Sequence, residues 1–189
     1  MRLTALVHER LAAVLKPGDI AADVTAGNGH DALFLANAVG ETGRVFVFDI
    51  QPAALDATRA RLERHGVAGR CELIAGCHSA LATYPPATAT GGLGAVTANL
   101  GYLPGGEAEI VTLADSTLKM LRAAADRLRP GGVLSVIAYP GHPGGEIESA
   151  AVAAKLRSLA AEGFLLETHG GHDAAARRPW LAFLTAPGG

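Results

Sequence analysis

Short apolar runs closed by Gly, Pro or Asp alternate with stretches of helical period along almost the whole chain, and this alternation constrains the fold more than any other feature. Strands separated by helix-length segments cannot form hairpins. Each crosses the sheet on a helix and returns parallel to the one before. The pattern predicts strands over 20–24, 44–48, 71–75, 95–100, 133–139, 164–168 and 180–185, and helices over 3–15, 31–39, 52–65, 78–84, 116–128 and 145–162. Pro52 falls where a first-turn proline is tolerated. The loop before the last strand is too short for a crossover helix, so the last two strands pair antiparallel. The predicted fold class is therefore α/β, with a seven-stranded, doubly wound, mostly parallel sheet closing in a terminal antiparallel hairpin. Segment 85–94, rich in Pro, Thr, Gly and Ala, is expected to be a flexible surface loop.

A chain of 189 residues is expected to fold as one domain over 1–189 with one continuous core. No apolar run approaches the roughly 20 residues of a membrane span, so no membrane partner is expected. His8, Glu9 and Arg10 interrupt the opening apolar stretch, which reads as the first helix of a cytoplasmic protein and not as a secretory signal. The two cysteines, Cys71 and Cys77, lack a second Cys/His pair at zinc-ligand spacing; they read as reduced thiols, and no metal is expected. A net charge of -2 provides no bulk attraction to nucleic acid. An RNA partner would need a local basic patch, for which Arg177-Arg178 before the last strand is the candidate.

The first strand runs into Asp23-Val24-Thr25-Ala26-Gly27-Asn28-Gly29-His30-Asp31. Gly27 and Gly29 permit a tight turn with close backbone approach, and the following helix aims its free amides at the turn. Gly27 to Ala32 also satisfies G-x-G-x-x-A, so a nicotinamide dinucleotide has to be weighed. Charge favours the other candidate. A pyrophosphate would sit among Asp23 and Asp31, whereas S-adenosyl-L-methionine carries a sulfonium and an ammonium. At about 4 Å and an effective dielectric near 20, each such contact is worth on the order of 4 kcal/mol, its sign set by the ligand. Asp31 also reads as a first-turn carboxylate satisfying helix amides, and Asn28 as a helix N-cap; neither role excludes ligand contact. Asp49, ending the second strand, is the expected ribose-hydroxyl acceptor, or else a cap before Pro52. Gln51 is a further candidate beside it. Cys77 and His78, after the third strand, fall where the adenine end of such a ligand lies, with His78 read as a ligand contact or a helix cap.

The fourth strand ends in Asn99-Leu100-Gly101-Tyr102-Leu103-Pro104-Gly105-Gly106, placing an amide and an aromatic ring at the sheet's carboxyl edge. An amine awaiting methylation needs acceptors for its protons and a surface for its carrier; Asn99 can accept and Tyr102 can stack. The plainer alternative is a strand-ending Asn in a Gly/Pro turn, with Tyr102 as core. Asn99-Leu100-Gly101-Tyr102 resembles the Asn/Asp-Pro-Pro-aromatic motif of methyltransferases acting on exocyclic amines, with Leu-Gly in place of Pro-Pro.

Through three segments, 23–31, 99–106 and Tyr139-Pro140-Gly141-His142-Pro143-Gly144-Gly145, the chain resembles the YtqB/MnmM group, formerly labelled rRNA methylases. The resemblance implies a Rossmann-like class I methyltransferase with S-adenosyl-L-methionine as donor. It further implies methylation of the aminomethyl group of wobble 5-aminomethyl-2-thiouridine in the tRNA anticodon loop, giving 5-methylaminomethyl-2-thiouridine. On that likeness Asn28, Asp31, Asp49, Gln51 and His78 would hold the cofactor, while Asn99, Tyr102 and segment 139–145 would shape the acceptor pocket. Relatives usually carry an acidic residue where Gly76 stands, and His where Pro140 stands. His142 is a candidate proton acceptor, or a surface histidine; His169 and His172 read as surface residues. A small-molecule amine remains an alternative acceptor, and a homodimer is left open.

Overall fold

The computed structural model describes residues 2–84, 91–101, 111–170 and 178–188. Seven strands, β1 (Ile20–Asp23), β2 (Arg44–Asp49), β3 (Cys71–Ala75), β4 (Leu93–Leu100), β5 (Leu128–Ala138), β6 (Leu165–His169) and β7 (Trp180–Thr185), form one sheet in the order β3-β2-β1-β4-β5-β7-β6. The pairs among β1 to β5 are parallel, and β7 runs antiparallel to both β5 and β6. Five helices, α1 (Leu3–Ala12), α2 (His30–Ala38), α3 (Pro52–Arg64), α4 (Ala114–Arg127) and α5 (Gly145–Ala161), cover the sheet.

Strand side chains alternate between faces, and the sheet therefore has two cores. In β2, Val45 and Val47 pack with Val7, Leu11, Leu35 and Leu62 of α1, α2 and α3. Phe46 and Phe48 pack on the other face with Met120, Leu121, Val152 and Leu156 of α4 and α5. Because both faces are covered, the central strands are apolar throughout, which is why they read as continuous runs. The strand order reverses between β1 and β4, opening a crevice beyond their carboxyl ends.

Element boundaries depart from expectation in four places. α1 stops at Ala12 and not at 15, because Lys16 precedes Pro17 and the chain must leave helical geometry. Segment 78–84, expected as an α-helix, is a 3-10 turn at His78–Thr83, a form suited to such a short piece. α4 ends at Arg127, and β5 begins at Leu128, five residues before the expected start at 133. Leu128 pairs with Leu93, and a register shift then brings Val133 opposite Ala95. The expected loop 85–94 is shorter at its far end, since Leu93 and Gly94 belong to β4; residues 85–90 lie outside the described residues. Among the described residues no helix is long and apolar enough to cross a membrane.

Candidate functional site

The chain between β1 and α2 turns through two left-handed glycines, Gly27 (φ 51°) and Gly29 (φ 74°). A Cβ on Gly29 would lie 2.8 Å from the Cα of Thr58, so α3 packs directly against the turn. The same helix satisfies the turn's carbonyls: Thr58 Oγ1 donates to Gly27 O (3.3 Å), and Arg61 Nε donates to Asn28 O (2.7 Å). Asp49 secures the turn from β2, its Oδ2 accepting the Gly27 N–H (3.0 Å) and its Oδ1 the Gln51 N–H (2.9 Å). The carboxylate read as a ribose acceptor or a cap before Pro52 thus ties the glycine turn after β1 to the end of β2.

Over the carboxyl ends of β1, β2, β3 and β4 lies a cavity of about 720 Å³, within the usual range for a cofactor site. Of the candidate cofactor residues, Gly27, Asn28, Asp31, Asp49, Gln51, Cys77 and His78 line it. Gly29 does not; it is the hinge pressed on Thr58. Asn28 does not cap α2. The N-cap is Gly29, in left-handed geometry, and the Asn28 side chain is exposed at the cavity wall. Nor does Asp31 satisfy helix amides: its Oδ1 accepts from His8 Nε2 of α1 (2.6 Å), and its Oδ2 accepts from Asn99 Nδ2 of β4 (2.6 Å). Burial pushes the Asp31 carboxyl up, but the His8 and Asn99 hydrogen bonds outweigh it and hold the group below its ordinary range. It is a carboxylate.

Asn99 lines the same cavity. Its backbone N–H donates to Thr25 Oγ1 (2.8 Å) while its side-chain N–H donates to Asp31. An ionised carboxylate only accepts, so the amide nitrogen must face Asp31, and Asn99 Oδ1 takes no hydrogen bond among the described residues and can serve as an acceptor. Tyr102 lies outside the described residues, as do His172 and Arg177.

His142 is not brought to the cavity. It is 9% exposed and folded beneath the start of α5, where a Cβ on Gly145 would lie 2.9 Å from its Nε2. Its Nδ1 lies 3.0 Å from Pro143 O, and its Nε2 lies 3.9 Å from the buried Glu148, which accepts from Thr112 and Thr117. Gly144, at φ 79°, is the N-cap of α5, and the Gly145 N–H donates to His142 O (2.9 Å), closing a turn that holds His142 against the start of the helix. His169 ends β6 with its ring edge-on to Phe183.

Asp23 corrects the charge argument. It does not line the cavity and has no exposed surface; Oδ1 accepts the Thr25 N–H (3.2 Å), and Oδ2 has no hydrogen-bond partner among the described residues. Burial, then the Asp31 charge, pushes its carboxyl up to about 8, so at neutral pH the group is mostly protonated. The negative charge at the cavity comes from Asp31 and Asp49. An unfolded Asp titrates near 3.9. The folded state therefore binds the extra proton between about pH 4 and 8, and stability falls as pH rises through that window. Asp23→Asn is expected to leave stability unchanged at pH 4 and to raise it by on the order of 2–5 kcal/mol above pH 8, read as paired urea denaturations. Equal effects at both pH values would contradict the burial argument.

His78 is 8% exposed, with Nε2 3.4 Å from Thr117 Oγ1; burial holds its pKa below the ordinary histidine value, so it presents a neutral ring. Cys77 and Cys71 are both free thiols, and burial pushes Cys71 up to about 12, which makes it a poor nucleophile. Sequence reasoning missed His8, Thr4, Thr112 and Ser116 on the cavity wall. Thr4 and His8 carried a faint signal: two polar residues one helical turn apart beside the apolar positions Val7 and Leu11.

The switch-point cavity, the glycine turn under α3 and the seven-stranded sheet with its antiparallel end define a class I methyltransferase architecture. The family described as "Putative rRNA methylase" matches residues 45–184, and the chain belongs to it. The chloroplastic tRNA (mnm(5)s(2)U34)-methyltransferase of Arabidopsis thaliana is 38% identical over 155 residues, covering 78% of this chain and 56% of its own length. The chain spans about half the length of the curated relatives it matches. A crystal structure of a "putative rRNA-methylase" from Clostridium thermocellum matches with a TM-score of 0.89 and 32% identity, covering 98% of this chain and 97% of that one. A "putative methyltransferase" from Streptococcus mutans in complex with SAH matches with a TM-score of 0.84 and 30% identity, over 98% of both chains.

Proposed function

We propose that the protein is an S-adenosyl-L-methionine-dependent methyltransferase acting on the exocyclic aminomethyl nitrogen of wobble 5-aminomethyl-2-thiouridine in the tRNA anticodon loop. The observation that carries this reading is the Asp31–Asn99 hydrogen bond: it sets a neutral amide acceptor in the cavity that the glycine turn lines. The relatives support the donor and the tRNA acceptor, one being described as a tRNA methyltransferase and another as a complex with SAH.

The residues present suit that cofactor. Gly27 and Asn28 offer backbone at the turn, Asp31 stays ionised beside it, and Asp49 and Gln51 stand at the end of β2, where a ribose would lie. Cys77 and the neutral ring of His78 would flank the adenine end. When bound, the cofactor supplies an electrophilic methyl group on a sulfonium. Asn99 Oδ1 would accept an N–H of the neutral primary amine and turn its lone pair toward that methyl. The cavity would exclude water, and attack would be in line with no covalent enzyme intermediate. As the new nitrogen–methyl bond formed, the sulfur–methyl bond would break and leave a neutral thioether, and the alkylated amine would release one proton to solvent at the cavity mouth.

A second groove, lined by Arg2, Leu3, Thr4, Tyr139, Arg178 and Pro179, shares Arg2, Thr4 and Tyr139 with the cavity. Arg2 and Arg178 are exposed, and Tyr139 is 37% exposed and borders both spaces. Two guanidinium groups around an aromatic ring suit a nucleotide with its phosphates.

The test is incubation with methyl-labelled S-adenosyl-L-methionine and tRNA from cells that stop at the aminomethyl stage, followed by nucleoside analysis. Labelled 5-methylaminomethyl-2-thiouridine is expected, with transfer weakening steeply as salt rises. S-adenosyl-L-methionine, and not NAD, is expected to raise the melting temperature. Thermal protection without RNA label would overturn the tRNA assignment and redirect the search to small-molecule amines.

A further inference from the structure

His8 lies on α1, far in sequence from every motif that marks the cavity, yet it lines that cavity. Its ring stacks on Phe34 of α2, with centroids 4.1 Å apart and planes 3° from parallel. Stacking fixes the ring plane, and in that plane Nε2 reaches Asp31 Oδ1 at 2.6 Å. Asp31 is held as a carboxylate, so the proton of this bond sits on His8 Nε2. The other carboxylate oxygen, Oδ2, receives the Asn99 amide N–H at 2.6 Å.

These contacts form a chain of constraints. A carboxylate can rotate about its last torsion, which is broad. Anchoring Oδ1 to a stacked imidazole removes that freedom and fixes where Oδ2 points. The Asn99 amide is planar, so fixing its nitrogen on Oδ2 also fixes the direction of Oδ1. We infer that His8 is a positioning residue for methyl transfer, acting through Asp31 to hold the Asn99 amide with its oxygen toward the acceptor amine. The inference rests on the amine-methylation reading above. The anchor comes from outside the sheet: α1 packs over α2 and β5 and supplies the hydrogen bond to Asp31 Oδ1.

Two substitutions separate the hydrogen bond from the stacking. His8→Phe keeps an aromatic ring against Phe34 and loses the donor; His8→Gln keeps an N–H donor and loses the ring. With tRNA as acceptor, His8→Phe is expected to lower kcat about tenfold while the KM for S-adenosyl-L-methionine stays within about twofold, and His8→Gln is expected to recover most of the rate. A wild-type kcat in His8→Phe, or a His8→Gln rate as low as that of His8→Phe, would overturn the inference. A second readout does not depend on turnover: the side-chain amide ¹H–¹⁵N resonances of Asn99 in the free protein. They are expected to move in His8→Phe and to stay close to wild type in His8→Gln; unmoved resonances in His8→Phe would overturn the inference. If wild-type protein methylates no tRNA, the amine reading falls, and these resonances still decide the role of His8.

Discussion

Gly29→Ala is expected to destabilise the protein by about 2–4 kcal/mol and to abolish the thermal shift given by S-adenosyl-L-methionine. Two costs add. At φ 74° an alanine occupies left-handed geometry, worth about 1–2 kcal/mol for an L-residue. Its methyl would then lie 2.8 Å from Thr58 Cα and 2.9 Å from Thr58 Oγ1, and Thr58 Cα is backbone that cannot swing away. α3 must shift from the turn, taking with it the donors to Gly27 O and Asn28 O. Gly66→Ala is the control, because Gly66 has φ 69° but nothing within 4 Å of a built Cβ. It is expected to cost only about 1 kcal/mol, the conformational part. Urea denaturation of the two variants separates the terms. Equal losses would show that the contact with α3 contributes nothing.

Asn99→Ala is expected to lower methyl transfer about 100-fold while S-adenosyl-L-methionine still binds. The substitution removes the one side-chain acceptor that Asp31 orients, and a hydrogen bond involving charge that builds on the amine is worth roughly 1.5–3 kcal/mol. The backbone N–H of residue 99 keeps its bond to Thr25 Oγ1, so the end of β4 stays in place. Asp31 keeps His8, so its charge remains for the cofactor. Single-turnover transfer with calorimetric binding measures both quantities together. Transfer within twofold of wild type would remove Asn99 from the mechanism. Loss of binding equal to the loss of transfer would make Asn99 part of the cofactor site.

Where the structure agrees with the sequence, the signals are local. The β2 residues Val45, Phe46, Val47 and Phe48 form a continuous apolar run because both faces of the sheet are covered, and such a run is visible in any window. The glycine turn is legible because only glycine adopts its left-handed angles without strain. Asp49 is legible because β2 must end beside that turn. Errors at α1, α4 and β5 concern where an element stops or starts, which Pro17 and the bulge opposite Leu93 decide.

The chemistry of the site was less legible because its partners are far apart in sequence. Asp31 and Asn99 were both singled out, but nothing local says that residues 68 positions apart share a hydrogen bond, or that His8, 23 positions from Asp31, completes it. Asp23 and Asp31 look alike in the turn. Burial keeps one protonated, and two hydrogen bonds keep the other charged. His142 sits in a Pro/Gly segment that reads as a pocket wall, until Gly144 turns it under α5. By itself the sequence determined the α/β class, the mostly parallel sheet with its antiparallel end and the glycine turn after the first strand, because periodicity and glycine geometry act within a few residues. Only the tertiary structure decided which carboxyl bears charge, which way the Asn99 amide faces and that His8 lines the cavity while His142 does not, because those depend on burial and on contacts between distant segments.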